Sequence, residues 1–126
     1  MKINYRFVSL LLAVSLVFAL LALSTQLAKN QNKISDEEFL FICESGSGRE
    51  VAHAIHSEGA NVNAKDENGK TALMYAVQNA NFEAIEVLLK AGANTKRKDK
   101  SGKTAFDYTI YHDTRFYGNP IKDKLK

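Results

Sequence analysis

Two segments of this 126-residue chain repeat each other. Residues 59–76 and residues 92–109 begin 33 positions apart, and both contain Gly-Ala-Asn followed by Asp-x-x-Gly-Lys-Thr-Ala. Tyr75 in the first segment pairs with Tyr108 in the second. A unit that recurs with a period of about 20–50 residues is typical of proteins that stack such units around one shared core.

Helix signals predict three pairs of helices after residue 34. Ser35 and Glu38 have the Ser-x-x-Glu spacing of a capping box, and Gly92 suits the left-handed conformation that ends a helix. Asp66 is expected to accept hydrogen bonds from backbone amides in a turn that closes at Gly69. The predicted helices cover about residues 36–44, 49–57, 72–78, 82–90, 104–111 and 121–125, with a turn over residues 113–118 and an Asn119-Pro120 cap before the last helix.

The period and these motifs resemble the ankyrin repeat over about residues 36–126. The resemblance implies an all-α solenoid of about three helix–turn–helix units with extended β-turn fingers, in repeats of about 36–68, 69–101 and 102–126. The helix opening that is usual in the family, Thr-Pro-Leu-His-x-Ala, is replaced by Thr-Ala-Leu-Met-Tyr-Ala at residues 71–76 and by Thr-Ala-Phe-Asp-Tyr-Thr at residues 104–109. Because the histidine ties neighbouring loops in the family, its loss predicts looser hairpins.

The resemblance also implies a non-catalytic role in binding another protein through the fingers and the concave face of the inner helices. Carried over by position, together with Lys98 from a basic finger, the candidate partner-binding residues are Glu67, Asn68, Lys70, Gln78, Asn79, Lys98, Lys100, Ser101, Lys103, Tyr111 and His112. The finger over residues 96–103 has five basic residues and one acidic residue. It either attracts an acidic partner or anionic lipid headgroups, or it is a solvated loop that keeps the protein soluble. We expect a monomer with one protein partner, whose identity the sequence does not reveal.

The N-terminus indicates export. Lys2 and Arg6 precede an uncharged apolar stretch over residues 7–23. At its end, Ala22 and Ser24 are small residues at the two positions that a signal peptidase reads. Together these features describe a secretory signal over residues 1–24. The alternative is an uncleaved anchor, which would make the chain a structural element at a membrane surface. Residues 25–34 are predicted to be a polar linker before a domain over residues 35–126. The protein is therefore expected to be periplasmic or secreted, or held in the membrane.

No motif for catalysis or for a cofactor stands out. Without Lys2 and Arg6 the chain has 15 basic and 14 acidic residues, so its charge does not indicate nucleic-acid binding. The two Gly-Lys-Thr triplets lack the earlier glycine of a phosphate loop. His53 and His56 have no evident third metal ligand nearby in the sequence. A 33-residue register aligns His56 with Leu89, so His56 is predicted to be partly buried. The same register aligns Cys43 with Ala76, as a small core residue. We expect no enzymatic activity, cofactor or metal.

Overall fold

The N-terminal unit is one long helix. The computed structural model describes residue 2, residues 4–31 and residues 33–126, and the chain divides into two compact units, Met1–Lys33 and Ile34–Lys126. In the first unit, α1 covers Tyr5–Gln31, and its leucine and phenylalanine side chains are exposed. Its stretch Tyr5–Leu27 is long and apolar enough to cross a membrane, a test that signal sequences also pass.

Helix α1 continues through most of the predicted linker. Residues 25–31 are helical, so the expectation of a polar linker over residues 25–34 is corrected for that part. The reason is that no glycine or proline occurs between residues 7 and 45, while glutamine, leucine, alanine and lysine are good helix formers. The Ser24 hydroxyl also donates to the Leu21 carbonyl at 2.8 Å, which satisfies a polar side chain within the helix.

The second unit is a stack of helical hairpins. Its elements are α2 Asp36–Ser45, α3 Gly48–Ser57, α4 Ala72–Gln78, α5 Phe82–Lys90, a 3₁₀ helix Phe106–His112, α6 Asp113–Phe116 and α7 Pro120–Lys124. Helix α4 lies between α2 and the 3₁₀ helix as an inner layer, while α3 packs against α5 in an outer layer. One apolar cluster runs through the unit, and its largest fully buried side chains include Phe39, Leu73, Met74, Ile85, Leu88 and Phe116.

The outer helix of the first repeat begins 34 residues, not 33, before the outer helix of the second. Ser47 and Asn81 are the N-caps of α3 and α5, and each accepts a hydrogen bond from the backbone three residues later. Counted from these caps, Cys43 aligns with Val77 rather than with Ala76; it is fully buried, which confirms it as a core residue. His56 aligns with Lys90 instead of Leu89 and is exposed, so the prediction of a partly buried histidine was wrong.

The capping box of the first repeat occurs at α3. The Ser47 hydroxyl accepts from the Glu50 backbone N–H, and the Glu50 carboxylate accepts from the Ser47 backbone N–H at 2.7 Å. This backbone hydrogen bond is the main reason why the pKa of Glu50 lies below its usual range. At the predicted site the Ser35 hydroxyl accepts from the Glu38 backbone N–H at 3.2 Å, which is one half of the reciprocal pair.

Side chains of the second repeat hold the first repeat in place. The Asn81 amide donates to the Gly46 carbonyl at 2.7 Å and to the Cys43 carbonyl at 3.3 Å, while its oxygen caps α5. The Gly48 N–H donates to a carboxylate oxygen of Glu83 at 3.0 Å. Since these contacts satisfy backbone groups at the loop between α2 and α3, they fix the position of that loop against α5.

The third repeat differs from the prediction. Residues 106–112 form a 3₁₀ helix where an α-helix over 104–111 was expected, and α6 lies within the predicted turn at 113–118. The local sequence explains this, because aromatic and β-branched residues have low helix propensity and the Thr109 hydroxyl donates to the Phe106 carbonyl at 2.8 Å. Phe116 of α6 is fully buried, with its ring centroid 5.0 Å from that of Phe82. The predicted Asn119 cap with proline at the start of α7 is confirmed.

Candidate partner-binding face

Two fingers project from the inner helices, and an aspartate organises each turn. We define the first finger as residues 63–70 and the second finger as residues 96–103. In the first, a carboxylate oxygen of Asp66 accepts from the backbone N–H groups of Asn68 and Lys70, both at 2.9 Å. Gly69 has a φ of 74°, which permits the reversal. Asp99 makes the same two contacts in the second finger, at 2.8 and 3.0 Å, so the predicted role of the aspartate is confirmed.

A tyrosine from the following helix holds each finger. The Tyr75 hydroxyl donates to the second carboxylate oxygen of Asp66 at 2.9 Å, and the Tyr108 hydroxyl donates to Asp99 in the same way. Burial and the Asp66 carboxylate raise the pKa of Tyr75 to about 12. The hydrogen bond from Tyr108 is the main reason why the pKa of Asp99 lies below its usual range.

These bonds correct the expectation of looser hairpins. Met74 occupies the position of the family's histidine, and its sulfur accepts the Thr71 N–H at 3.3 Å. The neighbouring residue in the motif, Tyr75, ties α4 to the first finger through its hydrogen bond to Asp66. The adjacent fingers also bond directly, because the Lys100 N–H donates to the Asn68 carbonyl at 2.9 Å.

Lysine ammonium groups lie against the tyrosine rings, in an arrangement we call the lysine–tyrosine ladder. The Lys70 nitrogen is 4.2 Å from the centroid of the Tyr75 ring and 5.0 Å from that of Tyr108. The Lys103 nitrogen is 5.6 Å from the Tyr108 centroid and 5.7 Å from the Tyr111 centroid. These distances are within the range of cation–π attraction, so the ladder joins the second and third repeats across one surface.

The structure distributes the predicted binding residues between this ladder and the finger tips. Lys70 also donates to the Gln78 side chain, and Lys103 donates to the Tyr111 hydroxyl at 3.4 Å. The Asn79 amide donates to the Tyr75 carbonyl at 3.0 Å, within its own helix. Half-buried are Lys70, Gln78, Lys103 and His112, whereas Glu67, Asn68, Asn79, Lys98, Lys100, Ser101 and Tyr111 are exposed.

Sequence reasoning missed the part of this surface that lies on the first repeat. A pocket of about 230 Å³, which we call the α2–α4 pocket, is lined by Glu37, Leu40, Phe41, Glu44, Asp66 and Tyr75. The Phe41 side chain is 66% exposed. Phe41 precedes Tyr75 by 34 residues, the same spacing as the α3 and α5 caps, and this register was the signal that could have placed Phe41 in one row with Tyr75 and Tyr108, which we call the aromatic row.

Comparison with known proteins agrees with this architecture. The family description "Ankyrin repeats (3 copies)" matches residues 39–116. The chain belongs to the ankyrin-repeat family. Residues of this ankyrin-repeat chain are also 37% identical, over 60 positions, to a putative ankyrin repeat protein, L92, of Acanthamoeba polyphaga mimivirus. That match covers 48% of this chain and 14% of the viral protein, so the chain spans about one seventh of the length of that relative.

Two tyrosine hydroxyls of this ankyrin-repeat face have raised pKa values. Burial and the carboxylates beside them raise the pKa of Tyr75 and Tyr108, so both hydroxyls keep the proton that they donate to Asp66 and Asp99 even at alkaline pH. Among residues 2, 4–31 and 33–126, no group of three His, Cys, Asp or Glu side chains could hold a metal ion. His53 instead lies 3.3 Å from a carboxylate oxygen of Glu58. Proteins of the ankyrin-repeat family typically mediate protein–protein interactions without catalysis.

Proposed function

We propose that this chain is a non-catalytic module, exported across a membrane, that binds a partner protein through its fingers and inner helices. The lysine–tyrosine ladder is the observation that carries the proposal. It presents aromatic and cationic groups on one surface, and the tyrosines are held in place because their hydroxyls donate to the finger aspartates. Tyrosine is enriched among the residues that contribute most to protein interfaces. A surface already ordered in the free protein loses little conformational entropy on binding.

The character of α1 supports the export part of the proposal. Its apolar side chains are exposed over more than five turns, with Leu16 at 67% and Phe18 at 68% exposure. An exposed apolar surface of this length is unfavourable in water, so the segment enters a membrane during synthesis. Lys2 and Arg6 before it favour a cytoplasmic N-terminus, which sends the repeats to the opposite side.

The second finger supplies a second, electrostatic element. Lys98 and Lys100 are exposed, and Lys103 is half-buried beside Tyr111. Positive charge at this position would speed the association of an acidic partner and make binding sensitive to salt. Reversing the charge of Lys98, Lys100 and Lys103 together should weaken such a partner, whereas Lys90→Glu with Lys124→Glu on other helices should not. Binding that is indifferent to both variants and to salt would remove the charged finger from the proposal.

A specific observation also favours a second function, that of a membrane-anchored structural element. The apolar stretch Tyr5–Leu27 has 23 residues, which exceeds the roughly 20 that a spanning helix needs. If the segment is retained, the repeats stay at the membrane surface and the basic second finger can contact anionic headgroups. This function needs no soluble partner.

One experiment separates the two functions. The chain is purified gently from its native cells, its intact mass is measured, and co-purifying proteins are identified in the same sample. A chain that begins near residue 25, with one stoichiometric companion, supports the exported binding module and names its partner. A full-length chain that needs detergent for extraction and carries no companion supports the anchored structural element.

A further inference from the structure

The α2–α4 pocket has the chemistry of a receptor for a positively charged side chain. We propose that it binds a lysine or arginine side chain of the partner protein. The inference rests on the proposed function only in that the side chain belongs to a bound protein.

The charges around the pocket are the first reason. Glu37, Glu44 and Asp66 all line it, and no lysine, arginine or histidine does. Within residues 33–126, neither Glu37 nor Glu44 forms an ion pair with a basic side chain. Asp66 is already hydrogen-bonded to its finger and contributes its negative charge rather than a free acceptor. A cation that enters the pocket therefore meets two glutamates, Glu37 and Glu44, that form no ion pair within residues 33–126, while the Lys70 ammonium lies over the Tyr75 ring at the edge of the pocket.

The aromatic row is the second reason. In the later repeats an ammonium group lies over each ring of the row, Lys70 over Tyr75 and Lys103 over Tyr108. Phe41 occupies the same position in the first repeat, and its ring remains exposed. In the 34-residue register the position of Lys70 is taken by Asp36, so the first repeat has an acid where its neighbours have the lysine. The arrangement is therefore complete except for one cation, which a partner can supply.

The size of the pocket indicates a side chain rather than a metabolite. Its volume of about 230 Å³ is below the roughly 300–1,000 Å³ of typical small-molecule sites. An exposed aromatic ring and flexible carboxylates suit the flat face of a guanidinium or the end of a lysine. A partner would present this side chain on an extended or helical segment that lies along the inner helices.

The test uses the full chain, ¹⁵N-labelled in non-ionic detergent micelles, and a short peptide with blocked termini whose single charged side chain is an arginine. The matched control peptide carries citrulline, which has nearly the same shape and no charge. We expect the arginine peptide to shift backbone amide resonances of residues 37–44, 66 and 75, with an affinity in the millimolar range that falls with added salt. The citrulline peptide should leave these resonances unchanged.

Two variants locate the effect in the pocket. Phe41→Ala should weaken the arginine peptide by roughly two- to fivefold, the range for an exposed cation–π contact, and Glu44→Gln should weaken it to a similar extent. Tyr117→Ala and Glu86→Gln are matched controls, because Tyr117 is 85% exposed and Glu86 is an exposed residue of α5. All four side chains are exposed or half-buried on the surface, so the variants should fold, and their far-ultraviolet circular dichroism checks this.

The proposal is overturned if the arginine peptide shifts none of these resonances, if the citrulline peptide shifts them equally, or if neither pocket variant weakens binding. Its failure can be told apart from failure of the proposed function. A partner that co-purifies and is insensitive to Phe41→Ala and Glu44→Gln leaves the binding module intact and removes this pocket from it. Absence of any partner removes the binding module, while the peptide titration still reports on the pocket.

Discussion

Replacing Tyr108 with phenylalanine tests whether the tyrosine–aspartate bond holds the second finger. The substitution removes the hydroxyl that donates to Asp99 and keeps the ring, which is 8% exposed and stays in place. A hydrogen bond to a charged group contributes about 1.5–3 kcal/mol, and the lower end applies because Asp99 is half-buried and water replaces part of the contact. A loss of about 1.5 kcal/mol lowers the melting midpoint of a domain of this size by about 6–12 °C.

The effect of Tyr108→Phe should depend on pH in a defined direction. The pKa of Asp99 lies below its ordinary value of 3.8, chiefly because of the hydrogen bond from Tyr108. A pKa lowered by folding stabilises the protein above the ordinary value, and this contribution is lost as the pH falls through the lowered pKa. In the variant the pKa of Asp99 returns towards 3.8. The difference in unfolding free energy between wild type and variant should therefore be largest near pH 7 and narrow below about pH 4.

The assay is thermal and urea unfolding of the full chain in non-ionic detergent, followed by circular dichroism between pH 7 and pH 2. Tyr117→Phe is the matched control, because Tyr117 is 85% exposed and its substitution should change stability by less than about 0.5 kcal/mol. A melting midpoint of Tyr108→Phe equal to that of Tyr117→Phe at pH 7 would refute the reasoning. A difference of constant size down to pH 2 would contradict the assignment of the lowered pKa of Asp99 to this bond.

Three further predictions concern the contacts between the first two repeats. Asn81→Ala removes the α5 cap and the donor to the Gly46 and Cys43 carbonyls, so it should lower the unfolding free energy by about 2 kcal/mol in urea unfolding. Gly48→Ala should destabilise by about 1 kcal/mol in the same assay, against the usual helix preference for alanine, because its Cβ would lie 2.9 Å from that of Glu83. Burial raises the pKa of Cys43 to about 12, so its thiol should react with a disulfide reagent at pH 8 only as fast as the protein unfolds; reaction at the rate of an exposed thiol would contradict its burial.

Local sequence signals predicted the fold where each repeat follows the same pattern. The two segments around Tyr75 and Tyr108 identified the solenoid, and the aspartate turns and the Asn119 cap form as predicted. The capping box was assigned to the wrong one of two equivalent patterns. Ser35-x-x-Glu38 and Ser47-x-x-Glu50 are equivalent sequence patterns. The structure forms both hydrogen bonds of the capping box at Ser47 and Glu50, but only one of them at Ser35 and Glu38.

The candidate site was predictable only in part, for reasons that lie in tertiary structure. Lys70 and Lys103 follow from their position in the motif, but the contact of Lys70 with the Tyr108 ring of the next repeat depends on how far apart the inner helices lie. The α2–α4 pocket was missed because the α3 cap of the first repeat precedes the α5 cap of the second by 34 residues rather than 33, and a shift of one residue turns a helical position by about 100°. The alignment of the first repeat with the second therefore depends on where α3 and α5 begin, and the sequence pattern alone did not locate the cap of α3.

The 3₁₀ helix of the last repeat determines the order in which the stack opens. Its hydrogen bonds have poorer geometry than those of an α-helix, and it packs against α4 and the four-residue helix α6. Local opening should therefore begin at residues 106–116 and advance towards α4, so that amide hydrogens there exchange with solvent before those of the central repeat. Lys103 and Tyr111 belong to this repeat. A partner that binds them would therefore slow hydrogen exchange at residues 106–116 first, and the third repeat would become more rigid before the central one.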